Sequence, residues 1–376
     1  MGRSNSLKEN YSMADKPEKE KKELKYDTKG RGKTVRYATN ERKAKINPKN
    51  IQAYQRYLRS RKVSNKDVVN TTYKVYESYM NIFLCYIMEE WDNFDITDED
   101  LWTGRNPELD MIEVMESYIY FLQETLGNNK KSINTKLSAV SSYYVWATKR
   151  GVIKNHPFDG KLERMKNSIE EKIISAHFLS HEEVEEIVAE LAEVDNGLTT
   201  YDKMDQIIWH IAFDSACRIG ALHGLTVSSL NHEKKAFENI REKRGKMVSI
   251  AMTPKTYDLL LEYLKMREEL GIDCDELFYV RKNGAWGGMS KQSLYNRIKK
   301  MGHIIGVGDF RPHSIRKTRL NQVAKRDIKK AAALANHDSI DTTSRFYTEK
   351  EDQSKVLADI MELEEQGALQ GSQQEK

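Results

Sequence analysis

Apolar residues in this chain recur at intervals of three and four, and that spacing constrains the fold more than any other feature. Ile51, Tyr54 and Leu58 open the pattern, and Val68, Val75, Tyr79, Ile82, Phe83, Tyr86 and Ile87 continue it. An α-helix turns once in about 3.6 residues, so this spacing gathers the side chains into one stripe that must be buried against a neighbour. Met111, Ile112, Met115, Tyr118, Ile119 and Leu122 mark a further helix that Gly127 ends. Ile133, Leu137, Val140, Tyr144 and Val145 mark another, with Lys130, Lys131 and Lys136 near its start. Thr97 to Asp100 has the spacing of a capping box before a short helix. Six Pro and 20 Gly in 376 residues favour helices over many short, tightly turned strands. Residues 46–160 are therefore expected to form a small helical domain.

A boundary follows at Asn155-His156-Pro157-Phe158, and the Lys/Glu-rich residues 161–176 have the character of a linker. Ser180 and Glu183 form a second capping box, opening a helix that turns Val184, Ile187, Val188 and Leu191 inward. Residues 204–225 are expected to be one buried helix. The runs AFENI and MVSIAM then read as two β-like segments around the polar tip Arg241–Gly245. From Pro254 onward the spacing is again helical, with Gly287-Gly288, Gly306 and Gly308 read as turns. The expected fold is mainly α with a small antiparallel β-sheet, in two domains, the second spanning residues 177–350.

Composition narrows the class. Hydrophobic residues make up 39% and charged residues 31% of the chain. No apolar run reaches the roughly 18 residues of a membrane span. The first residues lack the apolar stretch of a signal peptide, and Cys85, Cys217 and Cys274 are too scattered for a disulfide scaffold or zinc ribbon, so an intracellular protein is expected. The net charge of +4 is unevenly placed. Residues 1–44 hold 13 basic against 7 acidic residues, and residues 351–376 hold 2 against 7. Residues 1–45 are expected to be a disordered basic arm able to touch DNA phosphates. Residues 351–376 carry a short apolar stripe, Val356, Leu357, Ile360 and Met361, expected to form a helix that docks on its own domain or on a second protomer.

Three segments carry chemistry: Ser215-Ala-Cys-Arg218-Ile-Gly-Ala-Leu222, Arg311-Pro-His313-Ser-Ile-Arg316, and Leu334-Ala-Asn-His337 running on to Tyr347. Each alone suits an ordinary structural role. In this order and at these separations they resemble the tyrosine recombinase, or phage integrase, family: Arg, a hairpin Lys, His-x-x-Arg, His, then Tyr. The resemblance extends upstream through residues 130–158 and spans roughly residues 46–350.

The resemblance implies a two-domain clamp on double-stranded DNA, in which the helical domain is the core-binding domain and the second is catalytic. It implies strand exchange by a tetramer through a 3′-phosphotyrosyl intermediate and a Holliday junction, with DNA-bending accessory proteins possible, no cofactor or metal, and no membrane. Integration or excision of a mobile or viral element in the nucleoid of a prokaryotic cell is the expected role. Arg218 and Arg316 suit the non-bridging oxygens of a five-coordinate phosphorus, since guanidinium presents a fork of permanent donors. His313 and His337 suit donation or proton transfer near neutral pH, and Tyr347 is the implied nucleophile. The family draws its general acid from a hairpin lysine; Lys243 is preferred on spacing and Lys246 is then a phosphate contact. Lys130, Lys131 and Lys136 are further candidate DNA contacts. Two departures stand out: the acidic residue usual three positions after the first Arg is Ala221, and the usual Gly before the second His is Asn336.

A type IB topoisomerase-like enzyme would share this chemistry, and a non-catalytic DNA-binding protein could share the fold. His177 and His181 straddle the cap Ser180 instead of sharing a helical face, so no metal site is expected there.

Overall fold

The computed structural model describes residues 37–64, 72–106, 108–165, 178–242 and 245–348. These fall into two compact units, one below residue 176 and one above it, and the fold is mainly helical with small antiparallel sheets.

The first unit holds α1 (Asn40–Ala44), α2 (Pro48–Ser64), α3 (Lys74–Glu90), α4 (Asp100–Thr103), α5 (Met111–Tyr120) and α6 (Lys130–Lys149). Helix α6 is the hub, packed by α2 and α3. Its start is fixed by Asn129, whose side chain accepts from the Ser132 N–H, satisfying one of the donors a helix N-terminus leaves over. Gly127 takes the left-handed conformation, φ +58°, where the preceding helical segment ends. The core is rich in tyrosine: Tyr54, Tyr57, Tyr118, Tyr143 and Tyr144 are all buried.

Two expectations change here. The Thr97 capping box does not form: the Thr97 hydroxyl instead bonds Asp95, and the short helix begins at Asp100. Residues 37–45, expected to belong to the arm, pack with the helical unit. Tyr37 is buried in its core, and Arg42 pairs with Glu89 on α3. The rest of that arm lies outside the described residues, as do most of the linker and residues 351–376.

The second unit runs α7 (His181–Ala192), α8 (Lys203–Ser215), α9 (Ile219–His223), β1 (Leu230–Asn231), β2 (Ala236–Arg241), β3 (Met247–Ala251), α10 (Pro254–Glu269), β4 (Tyr279–Lys282), β5 (Ala285–Gly288), α11 (Lys291–Met301), α12 (Pro312–Ala324), α13 (Ile328–Leu334) and α14 (Ile340–Tyr347). The capping box at Ser180 and Glu183 is present in full. Helix α8 is buried nearly all round, because α7, α10, α11, α12 and β3 all pack on it. A helix enclosed on every side forms the middle of a core rather than its surface.

Strands β1, β2 and β3 form one antiparallel sheet in that order, and β4 and β5 a separate hairpin. The second hairpin departs from the expected helix after Pro254. Gly287 and Gly288 lie within β5, and its turn is Asn283-Gly284, both residues left-handed at φ +51° and +84°. The expected helix over 204–225 is likewise two helices, broken where Ala216 turns left-handed at φ +49°. No helix among the described residues is long and apolar enough to cross a membrane.

Candidate active site

Arg316 organises the site. It lies one turn into α12, which starts with Pro312 in its first turn, where a missing N–H costs nothing. Only 2% of the residue is exposed. Its guanidinium donates to the Ala216 carbonyl, to the Ala335 carbonyl at 2.7 Å, and to Nε2 of His337 at 3.2 Å. Ala216 ends α8 just before Arg218, and Ala335 closes α13 just before His337. One planar fork thus ties together the two turns that deliver the other basic residues.

His337 is fixed from both ring nitrogens. An arginine can only donate, so Nε2 accepts from Arg316 and Nδ1 must carry the hydrogen given to Thr343 Oγ1 at 2.9 Å. Thr343 is fully buried on α14, the helix that ends at Tyr347 one turn later. Asn336 accounts for one departure: its φ is +52°, a conformation that suits glycine best and asparagine next. The chain therefore keeps the turn that aims His337 without the glycine.

Burial and the neighbouring Arg316 and Arg218 push His337 down to about 4. His313, in the first turn of α12, is also pushed down to about 4, by desolvation and then by Lys317, Arg316 and Arg218, although its outer edge is open to solvent. Both shifts favour the neutral ring in the free protein.

Arg218 stands at the N-cap of α9 and pairs through Nη1 with Glu242, whose side chain is 2% exposed against 35% for the arginine. A bulge in β2 directs Glu242 inward. The register passes from Phe237 opposite Ile250 to Ile240 opposite Val248, so two residues of β2 face one of β3. Asn239 there takes φ +58°. The extra residue reverses the alternation, placing Ile240 and Glu242 inside and Arg241 outside.

Lys246 reaches from the hairpin to the Asn336 carbonyl at 3.1 Å and to Asp338 at 2.8 Å, on either side of His337. Lys243 lies outside the described residues, as does the side chain of Tyr347. Arg218, His313, Arg316 and His337, together with Lys246, are thus gathered around the ends of α8, α12 and α13. The candidate contacts on α6 divide: Lys131 is exposed and Lys130 partly so, but Lys136 is 5% exposed. Its ammonium donates inward to Asn128 at 2.6 Å and Ser132 at 2.8 Å, so Lys136 is held inside the helical unit instead of being presented on its surface. Among the described residues no group of three or more His, Cys, Asp or Glu could hold a metal ion; His177 lies outside them.

Reading the sequence alone missed Glu242 and Thr343. The acid directly preceding the hairpin lysine, and a threonine four residues before the tyrosine, were the available signals.

The profile of the phage integrase family matches residues 177–354. The chain is 26% identical over 226 residues to the tyrosine recombinase XerC of Neisseria gonorrhoeae, covering 59% of this chain and 69% of that one. It is 23% identical over 302 residues to the tyrosine recombinase XerC of Mannheimia succiniciproducens, covering 79% of this chain and 91% of the other. Among solved structures, XerH site-specific recombinase bound to a palindromic difH substrate in a post-cleavage complex shares the fold, with a TM-score of 0.62 at 15% identity over 84% of this chain and 97% of that one. The Tn1549 transposon integrase in complex with a circular intermediate DNA gives 0.59 at 17% identity, over 83% and 98%.

Proposed function

The chain belongs to the phage integrase, or tyrosine recombinase, family through residues 177–354, and from that premise we propose that it cuts and rejoins DNA at specific sites through a 3′-phosphotyrosyl intermediate. The observation that carries this reading is the single fork of Arg316 joining the turns of Arg218 and His337, which concentrates permanent positive charge where a phosphodiester would dock.

In the proposed step the Tyr347 oxygen attacks phosphorus. The bond from phosphorus to the 5′-oxygen breaks, the phenolic proton passes to a base in the site, and a hairpin lysine returns a proton to the leaving 5′-oxygen. Lys243 is the proposed acid and Lys246 a phosphate contact. Arg218 and Arg316 stabilise charge on the non-bridging oxygens, the largest single contribution such a site can make. His313 and His337, neutral before substrate arrives, accept or donate as the phosphate raises their pKa. Ester energy is conserved in the protein–DNA bond, so rejoining needs no external energy source.

The helical unit is the proposed core-binding domain, holding duplex DNA with the catalytic domain, and Lys130 and Lys131 are its candidate phosphate contacts. Four protomers on two sites would exchange strands through a Holliday junction, with integration or excision of a mobile or viral element in a prokaryotic nucleoid as the role.

Sheared DNA from the genome that carries the gene supplies the test. Fragments retained on the protein after denaturation identify the site, and two copies of it are placed on a supercoiled plasmid. Recombinant products are expected. Relaxation without recombination would support the topoisomerase-like reading, and no retained fragment would overturn the catalytic one.

A further inference from the structure

Arg218 has a long side chain with much rotamer freedom to lose when fixed, and its own helix supplies no carboxylate to hold it. Ala221, one turn on, supplies only a buried methyl group. The carboxylate that does hold it, Glu242, comes from another element and is buried. The Glu242 N–H donates to the Lys246 carbonyl at 2.7 Å, and its carbonyl accepts from Gly245 at 3.2 Å. Gly245 adopts φ +76° to close this turn. The bulge at Asn239 sets the phase that turns Glu242 inward.

We propose that Glu242 is the positioning residue for Arg218, a hairpin carboxylate doing what a carboxylate at position 221 would otherwise do. Glu242 engages one terminal nitrogen and leaves the exposed side of the guanidinium facing solvent, where a phosphate would arrive. Because Glu242 adjoins Lys243 in sequence and is bonded to the backbone of Lys246, hairpin placement and Arg218 orientation become one event. A hairpin displaced from the site releases the arginine together with Lys246.

This inference rests on the proposed cleavage chemistry, and the test separates the two. Wild type, Tyr347→Phe, Glu242→Ala and Glu242→Gln are compared in single-turnover cleavage of the retrieved site, made with a phosphodiester or a methylphosphonate at the scissile position. The methylphosphonate lacks the charged oxygen that Arg218 is placed to meet, so a defect that acts through Arg218 shrinks on it. Glu242→Ala is expected to slow phosphodiester cleavage roughly 10- to 100-fold, the scale of a misplaced catalytic group, with DNA affinity within about threefold. Glu242→Gln, which keeps an acceptor oxygen, slows it less, and both defects are at least about threefold smaller on the methylphosphonate. Wild-type rates for both variants, or losses equal on the two linkages, overturn the role of Glu242. If Glu242→Ala does not fold, the ratio of the two linkages for Glu242→Gln decides in the same way. No adduct from wild type on either linkage overturns the cleavage chemistry itself.

Discussion

Asn336 holds a left-handed conformation at φ +52° immediately before His337, and the demands of that position are steric. A side chain branched at Cβ meets the following carbonyl there, at a cost of about 1–2 kcal/mol. Asn336→Gly is therefore expected to keep or slightly raise stability, and Asn336→Val to lower it by about 1–2 kcal/mol in urea denaturation. Equal stabilities would show that the turn relaxes. The histidines make a second prediction. Their folded pKa values near 4 lie below the unfolded value near 6.5, so they favour folding fully above pH 6.5 and lose that contribution as pH falls toward 4. NMR titration of the free protein should find both rings neutral at pH 6, and adding the retrieved DNA should raise both values; titration near 6.5 without DNA would contradict the desolvation and the neighbouring cations that lower them. Arg218, Arg316, His313 and His337 were legible in the sequence because their order and spacing persist without any knowledge of packing. Glu242 was not, since its direction depends on a bulge that reverses the alternation of a strand.

At the scale of elements, α6 and its tyrosines show how a helical core tolerates polar tips. The hydroxyls of Tyr54, Tyr118, Tyr143 and Tyr144 are buried without a hydrogen-bond partner among the described residues. A buried hydroxyl without a partner keeps its desolvation cost. Tyr144→Phe should therefore stabilise the protein by about 1 kcal/mol in urea denaturation; destabilisation would reveal a partner for that hydroxyl. The helices were legible because their stripes repeat every three to four residues, and β3 because it alternates. The β4–β5 hairpin was missed although Asn283-Gly284 is a strong two-residue turn signal, as its flanking runs are only four residues each and too short to show a period. The break at Ala216 was missed because an alanine in the left-handed region carries no sequence mark.

For the whole molecule, a net charge of +4 conceals charge gathered at one place. Arg218, Arg316, Lys246 and Lys317 lie around the neutral histidines, with Glu242 and Asp338 as nearby acids. Clustered cations that replace counterions on DNA give affinity that falls steeply with salt, and for about six phosphate contacts the loss between 50 and 200 mM salt is about a thousandfold. Fluorescence anisotropy on the retrieved duplex should show that dependence; affinity insensitive to salt would contradict a phosphate-facing site. The nucleophile is tested most directly by mass spectrometry of the covalent adduct after nuclease and protease digestion. The prediction is a nucleotide 3′-phosphate on the peptide containing Tyr347, with no adduct from Tyr347→Phe. A phosphate on another residue, or an adduct that survives the substitution, would contradict it.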